Sequence, residues 1–276
     1  MYWCTGVLHS VHQGRDAGVL VYCRTLCTLA GVPIITVAAT KGGVGKTTLA
    51  YELAAALGGV LVDLDWDSGG ATRMWGYDPA SYRRAPLLDA LESGPSSTAP
   101  RPRARLNQPF LLPSSPDLAA SSIADDLVAD CLEAWSKTWS DSMGAGWTVV
   151  DTHPGANPLT DGAMQAAQLV IVPVVLAERE MQALRGMLRD YAGYPILLVP
   201  NRVPAVMPRA VSRRYLGQLR TLANGIPVAP AVSEHLFIAR RLRHAAVVLE
   251  PRPGQGVRAA AEEYRAVATT VEGLCG

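Results

Sequence analysis

Between residues 40 and 48 the chain reads Thr40-Lys41-Gly42-Gly43-Val44-Gly45-Lys46-Thr47-Thr48, three glycines set between two lysines and followed by hydroxyls. That composition suits the holding of a polyphosphate. Glycines let successive backbone N–H groups turn toward one anion, and a helix starting just after them adds its partial positive charge. Lys46 can then lie along the β- and γ-phosphates of a nucleotide, and the Thr47 hydroxyl can complete the octahedron of a Mg²⁺ that keeps several waters. At average residue usage a K-G-G-x-G-K-[ST] string arises by chance in a chain of this length at odds on the order of 10⁻⁴. An incidental glycine turn is therefore a poor account of it.

Two further segments bring carboxylates. VLVDLDWDSGGAT at 60–72 places Asp63, Asp65 and Asp67 at alternate positions, on one side while the strand continues and less predictably once it turns. Turn-capping remains an adequate account of Asp63 and Asp67. WTVVDTHPG at 147–155 puts Asp151 at the carboxyl end of an apolar strand, where ligands of open α/β sheets collect. His153, a lone histidine in the loop beyond, is left without a role, and Asn201 after a later strand could equally be a turn residue.

An ordinary phosphate loop has glycine where this chain has Thr40, and no required lysine after it. K-G-G-x-G-K-[ST] resembles the deviant Walker A box of the ParA/MinD superfamily of P-loop ATPases, nearest to its ParA-type (Soj-like) partition ATPases, from about Val32 to the C-terminus. The resemblance implies ATP and Mg²⁺ as cofactors, with Gly42, Gly43, Val44, Gly45, Lys46, Thr47 and Thr48 around the phosphates. It implies that Lys41 reaches across a nucleotide-sandwich homodimer, adding charge where it develops in the transition state. VLVDLD resembles the D-x-D-P-Q-G motif, so Asp65 positions the attacking water, and D-T-H-P-G resembles a Walker B motif. Thr47, Asp65 and Asp151 then surround the metal, Asp151 through a water. Asn201 is implied at the adenine edge, with a purine wall near Val228-Ala229-Pro230. Trp66-Asp67 stands for the usual Pro-Gln, with one extra residue before Gly69, and His153 stands for a proline. All but three of the 25 basic residues are arginine, so lysine at both loop positions indicates a need for a compact ammonium.

The elements that must carry these residues are legible as apolar runs at 33–39, 60–65, 109–114, 147–151, 169–174 and 195–200, alternating with helical patterns at 46–57, 121–139, 178–191, 208–223, 234–244 and 258–274. The strands are apolar throughout, so both sheet faces should be covered. The expected fold is α/β, a three-layer doubly wound, mostly parallel sheet of the P-loop NTPase kind. Residues 94–108, rich in proline, serine and arginine, read as a surface loop. With 276 residues, 49% of them hydrophobic, disorder is excluded. One ATPase domain over 32–276 is the economical division, with 1–31 an extension or an over-long start, too short for a helix-turn-helix reader. The apolar run at 18–39 is read as leading into a buried strand, so no membrane span is expected. Five scattered cysteines without a C-x-x-C pair argue against a disulfide framework or zinc ribbon and fit a reducing cytoplasm.

A net charge of +1 hides an asymmetry: residues 1–201 hold 14 basic and 19 acidic side chains, residues 202–276 hold 11 and 5. Arg213, Arg214 and Arg220 fall on one predicted helix, and Arg240, Arg241 and Arg243 on another. Such clusters suit sequence-independent contact with DNA phosphates. The favoured reading is a partition ATPase, cytoplasmic and nucleoid-associated, that dimerises on ATP, binds DNA and is switched off by a ParB-like activator. The alternative is a MinD-like or other cargo-positioning ATPase, for which a basic amphipathic C-terminal helix is missing. A cluster-carrying reductase is set aside because only Cys275 lies beyond Asp151.

Overall fold

The computed structural model describes residues 31–67, 70–78, 86–204, 206, 208–239 and 244–275. The expected extension at 1–31 lies outside it except for residue 31. Six strands, β1 (Ile34–Val37), β2 (Val60–Asp63), β3 (Phe110–Leu112), β4 (Thr148–Asp151), β5 (Leu169–Val175) and β6 (Ile196–Asn201), form one sheet in the order β3-β2-β4-β1-β5-β6. Every neighbouring pair is parallel. Each predicted apolar run has become a strand. The helices are α1 (Lys46–Ala56), α2 (Ala71–Trp75), α3 (Pro86–Ser93), α4 (Asp125–Met143), α5 (Pro158–Ala166), α6 (Glu178–Asp190), α7 (Arg209–Ala223), α8 (Leu236–Ala239) and α9 (Gln255–Cys275). Among the described residues no helix is long and apolar enough to cross a membrane.

Alternate strand residues explain why the strands are apolar without interruption. Ile35, Leu61, Val149, Ile171 and Leu197 turn to one face and meet α1 and α9 through Leu49, Leu53, Tyr264 and Val267. Their neighbours turn to the other face, where two clusters share the sheet. Ile34, Val60, Val62 and Val150 pack against Leu87, Leu132, Trp135 and Leu159. Val170, Val172, Ile196 and Leu198 pack against Met181, Leu184, Met187 and Leu219. Both faces are thereby removed from water, as a doubly wound sheet requires.

The connection from β1 through α1 to β2 steps over β4, and that from β4 through α5 to β5 steps over β1. Strand order thus reverses between β1 and β4, and the loops that leave them part to opposite faces. A crevice opens there at the carboxyl edge of the sheet, the place where open α/β sheets bind ligands.

Differences from the predicted helices have local causes. α5 starts at an Asn157 cap whose Oδ1 accepts the Thr160 N–H at 2.9 Å, with Pro158 at the first helical position. α4 starts at Asp125 and not at 121, because Pro116–Ala120 forms a separate 3-10 turn closed by Ser121. Of the predicted helix at 234–244, Leu236–Ala239 is helical and 240–243 lie outside the described residues. The loop at 94–108 is pinned, Arg103 bridging Leu111 and the Trp139 indole donating to the Pro100 carbonyl at 2.9 Å.

α4 and α5 touch so closely that a Cβ on Gly162 would collide with the Asp125 carbonyl and lie 2.7 Å from Val128 Cβ. Gly162→Ala is therefore expected to cost about 1–3 kcal/mol, the range for overpacked interiors. Urea denaturation measures it, and an unchanged midpoint would contradict this packing.

Candidate active site

The loop from Thr40 to Gly45 leaves β1 and winds onto α1, whose Lys46, Thr47 and Thr48 N–H groups precede the first intrahelical bond, from Leu49 to Gly45 at 3.0 Å. Gly43 and Gly45 have φ of 78° and 89°, the left-handed region that disfavours side chains. Gly45 is needed twice over: a Cβ there would strike the Asn201 amide nitrogen. That closeness is functional for the loop, because Asn201 Nδ2 donates to the Val44 carbonyl at 2.8 Å. Arg202 adds a second tie, its guanidinium donating to the Gly43 carbonyl at 2.6 Å and pairing with Glu234 at 2.8 Å. Its own backbone is left-handed, with φ of 53°, a strained state for arginine that these bonds hold in place.

Below the loop, the sheet register sets Asp63 directly beside Asp151, both fully buried at the ends of adjacent strands. Asp63 is satisfied. Its Oδ2 accepts the Thr72 N–H and hydroxyl, both at 2.6 Å, and its Oδ1 accepts the Asp65 N–H at 3.0 Å. The Thr72 hydroxyl in turn accepts the Ser114 N–H at 2.8 Å. Asp63 thus fastens α2 and β3 to β2, the turn-capping role. Burial pushes its carboxyl up to about 7 against these hydrogen bonds.

Asp151 differs. Neither oxygen accepts a hydrogen bond of standard geometry. Burial first and Asp63 second drive its carboxyl well above the usual range, opposed by the Thr47 hydroxyl and the Lys46 ammonium. Lys46, 5% exposed, is in turn lowered by burial, with Asp151 and Asp65 opposing. A buried carboxylate with two uncommitted oxygens, beside a threonine hydroxyl, offers the hard oxygen ligands that Mg²⁺ takes. Thr47 and Asp151 fit that ion, with Asp65 within electrostatic reach of both Lys46 and Asp151.

A cavity of about 460 Å³ gathers Gly42, Gly43, Gly45, Lys46, Thr47, Thr48, Asp65 and Asn201 in one place. Its far wall is formed by Ser233, His235, Ile238 and Tyr264. Sequence reasoning missed this wall, since nothing local marks it. Glu263 on α9 braces it, accepting from the Ser233 N–H and hydroxyl at 2.9 and 2.7 Å and facing His235 Nε2 at 2.9 Å. Burial tends to raise Glu263, but these bonds outweigh it and hold its carboxyl below the usual range. Pro230 is exposed and is not part of the lining. Lys41 is also absent from it: half exposed, it lies 3.6 Å from Glu180 on α6. Arg213, Arg214 and Arg220 are exposed on α7, with Arg214 3.8 Å from Glu178, while Arg240, Arg241 and Arg243 lie outside the described residues.

Comparison with known proteins agrees with this fold. Residues 32–192 match the family model of an AAA domain. The chain is 33% identical over 201 residues to the chromosome-partitioning ATPase Soj of Thermus thermophilus, covering 71% of this chain and 72% of that one. The fold is similar to that of an ATP complex of Cyanothece McdA(D38A), with a TM-score of 0.70 at 18% identity over 88% of this chain and 97% of the other. It is also similar to the septum site-determining protein MinD of Pyrococcus horikoshii OT3 complexed with Mg-ADP, with a TM-score of 0.63 at 19% identity over 88% and 97%.

Lys46→Ala removes the buried cation between Asp151, Asp65 and the loop. Charge-assisted contacts are worth about 1.5–3 kcal/mol, so Mg·ATP affinity by calorimetry should fall about 100-fold. Wild-type affinity would remove Lys46 from the site.

Proposed function

The chain belongs to the ParA/MinD superfamily of P-loop ATPases, and from that premise we propose that it is a partition ATPase, pairing on ATP, holding DNA without regard to sequence, and released when a ParB-like activator speeds hydrolysis. One observation carries the reading. Lys41, the lysine that sets this family's loop apart, stays out of its own subunit's cavity and at the surface, 3.6 Å from Glu180. An ammonium so placed is available to a second subunit's phosphates.

Within one subunit the division of labour follows from position. Loop N–H groups and the N-terminus of α1 hold the phosphates, and Lys46 neutralises them from below. Mg²⁺, bound through Thr47 and Asp151, would supply charge neutralisation across the β- and γ-phosphates. Asp65, at the mouth of the cavity, orients the attacking water. The base would lie toward Asn201, which lines the cavity and whose Nδ2 is committed to the Val44 carbonyl. Lys41 from the partner adds charge at the transferring group, as an arginine finger does elsewhere.

The DNA-binding part of the proposal draws on the cationic last quarter of the chain and on the exposed arginines of α7. Contacts of this kind weaken steeply with salt and ignore sequence.

Two outcomes are expected. Lys41→Ala should bind Mg·ATP as well as the wild type does yet remain one chain by light scattering, and a variant that still pairs would contradict the trans role. Charge reversal of Arg213, Arg214 and Arg220, with or without Arg240, Arg241 and Arg243, should abolish DNA retention at low salt while sparing ATP binding. Undiminished retention would favour a MinD-like cargo-positioning ATPase.

A further inference from the structure

Two positions at which this chain departs from its family's spelling meet in space. Trp66 follows β2 and His153 follows β4, each where the family has proline. Their rings stack with centroids 4.0 Å apart and planes 6° from parallel. Asp67 Oδ2 lies 3.4 Å from His153 Nε2, and His153 Nδ1 lies 2.9 Å from the Pro154 carbonyl, so the imidazole is met at both edges. Asp65 sits inside this arrangement. Its N–H donates to Asp63 at 3.0 Å and its Oδ1 accepts the Asp67 N–H at 3.1 Å. Oxygens of Asp65 and Asp67 and a ring nitrogen of His153 all lie within 4.8 Å of one another.

Proline stiffens a loop by fixing φ and by narrowing the conformations of the residue before it. At residue 66 that stiffness is gone from the backbone, and at residue 153 only the restriction imposed by the following Pro154 is left. A side-chain contact now spans the same two segments, one carrying Asp65 and the other following Asp151. Both rings are mostly buried, with 22% of the His153 side chain exposed and Trp66 packed against the cluster that holds Leu87 and Leu132, so the Trp66→Phe variant, which keeps an aromatic ring there, separates loss of the stack from loss of packing.

We propose that Trp66 and His153 form a clasp, a pair of positioning residues that locks the segment after β2 to the segment after β4 and so fixes Asp65 relative to Asp151 during hydrolysis. Neither ring lines the cavity that holds Lys46 and Asp65. The proposal rests on the reading of Asp65 as the residue that orients water. The clasp replaces two backbone constraints by one tertiary contact, so its halves act only together. Losing either ring frees both segments, and losing the second adds nothing.

The experiment is a double-mutant cycle on basal ATP turnover with Trp66→Ala, His153→Ala and the pair, beside Trp66→Phe and Asp65→Ala. An aromatic pair is worth about a two- to tenfold change in rate. Each single variant should lower kcat by that factor with KM for ATP within about twofold, and the double variant should lose no more than the worse single. Trp66→Phe, which keeps a stacking face, should recover most of the rate. Losses that multiply, an unchanged kcat, or a rise in KM alone would overturn the clasp. Asp65→Ala separates the two readings. If it abolishes turnover while Trp66→Ala and His153→Ala are untouched, only the clasp fails; if it turns over normally, the role of Asp65 fails and the clasp with it.

Discussion

Two carboxylates, Asp63 and Asp151, stand in register on adjacent parallel strands with no exposed surface, and one buried lysine on α1 lies within electrostatic reach of Asp151. Like charges this close, out of water, are costly unless something neutral or positive is supplied. The sheet solves half of the difficulty by giving Asp63 three hydrogen bonds from α2 and the following turn. Asp151 receives none of standard geometry. The Thr47 hydroxyl and the Lys46 ammonium only partly offset the burial that drives its carboxyl above the usual range. The molecule thus carries a buried carboxyl without a hydrogen-bond partner of standard geometry, and folding places it where strand order reverses, the demand that the proposed Mg·ATP would meet.

The loop above the carboxylates depends on a partner far along the chain. Asn201 and Arg202 hold the Val44 and Gly43 carbonyls and so fix the two peptide units whose N–H groups belong to Gly45 and Val44. The residues just after β6 are bonded to the segment that Glu263 braces as the far wall, Arg202 to Glu234 at 2.8 Å and Val203 in a bridge with Ser233. Phosphate loop and far wall are therefore parts of one bonded unit, and a disturbance at either end reaches the other through two residues.

Much of this was legible in the residues themselves. Strands buried on both faces are written as unbroken apolar runs, so all six were placed. Lys46, Thr47 and Asp151 could be singled out because phosphate and metal chemistry restrict which residue types serve, and the structure brings the three together. What stayed hidden depends on tertiary approach. Arg202 looks like an ordinary turn residue until the loop comes within reach of it. Ser233, His235 and Tyr264 carry no local pattern, and the structure lines the cavity with them and leaves Pro230 outside. α5 was missed although Asn157-Pro158 is a legible helix start. Trp66 and His153 each read as an isolated oddity, and only their stacking makes them one feature.

If Asp151 is the residue that nucleotide and metal jointly satisfy, the stabilisation of this protein by ATP must require the cation. Thermal unfolding with saturating ATP, in Mg²⁺ and in excess chelator, tests this most directly. A ligand at about 100 times its Kd stabilises by about 2.7 kcal/mol, and that gain should appear with Mg²⁺ and largely vanish with chelator. An equal rise in Tm in both conditions would contradict the account.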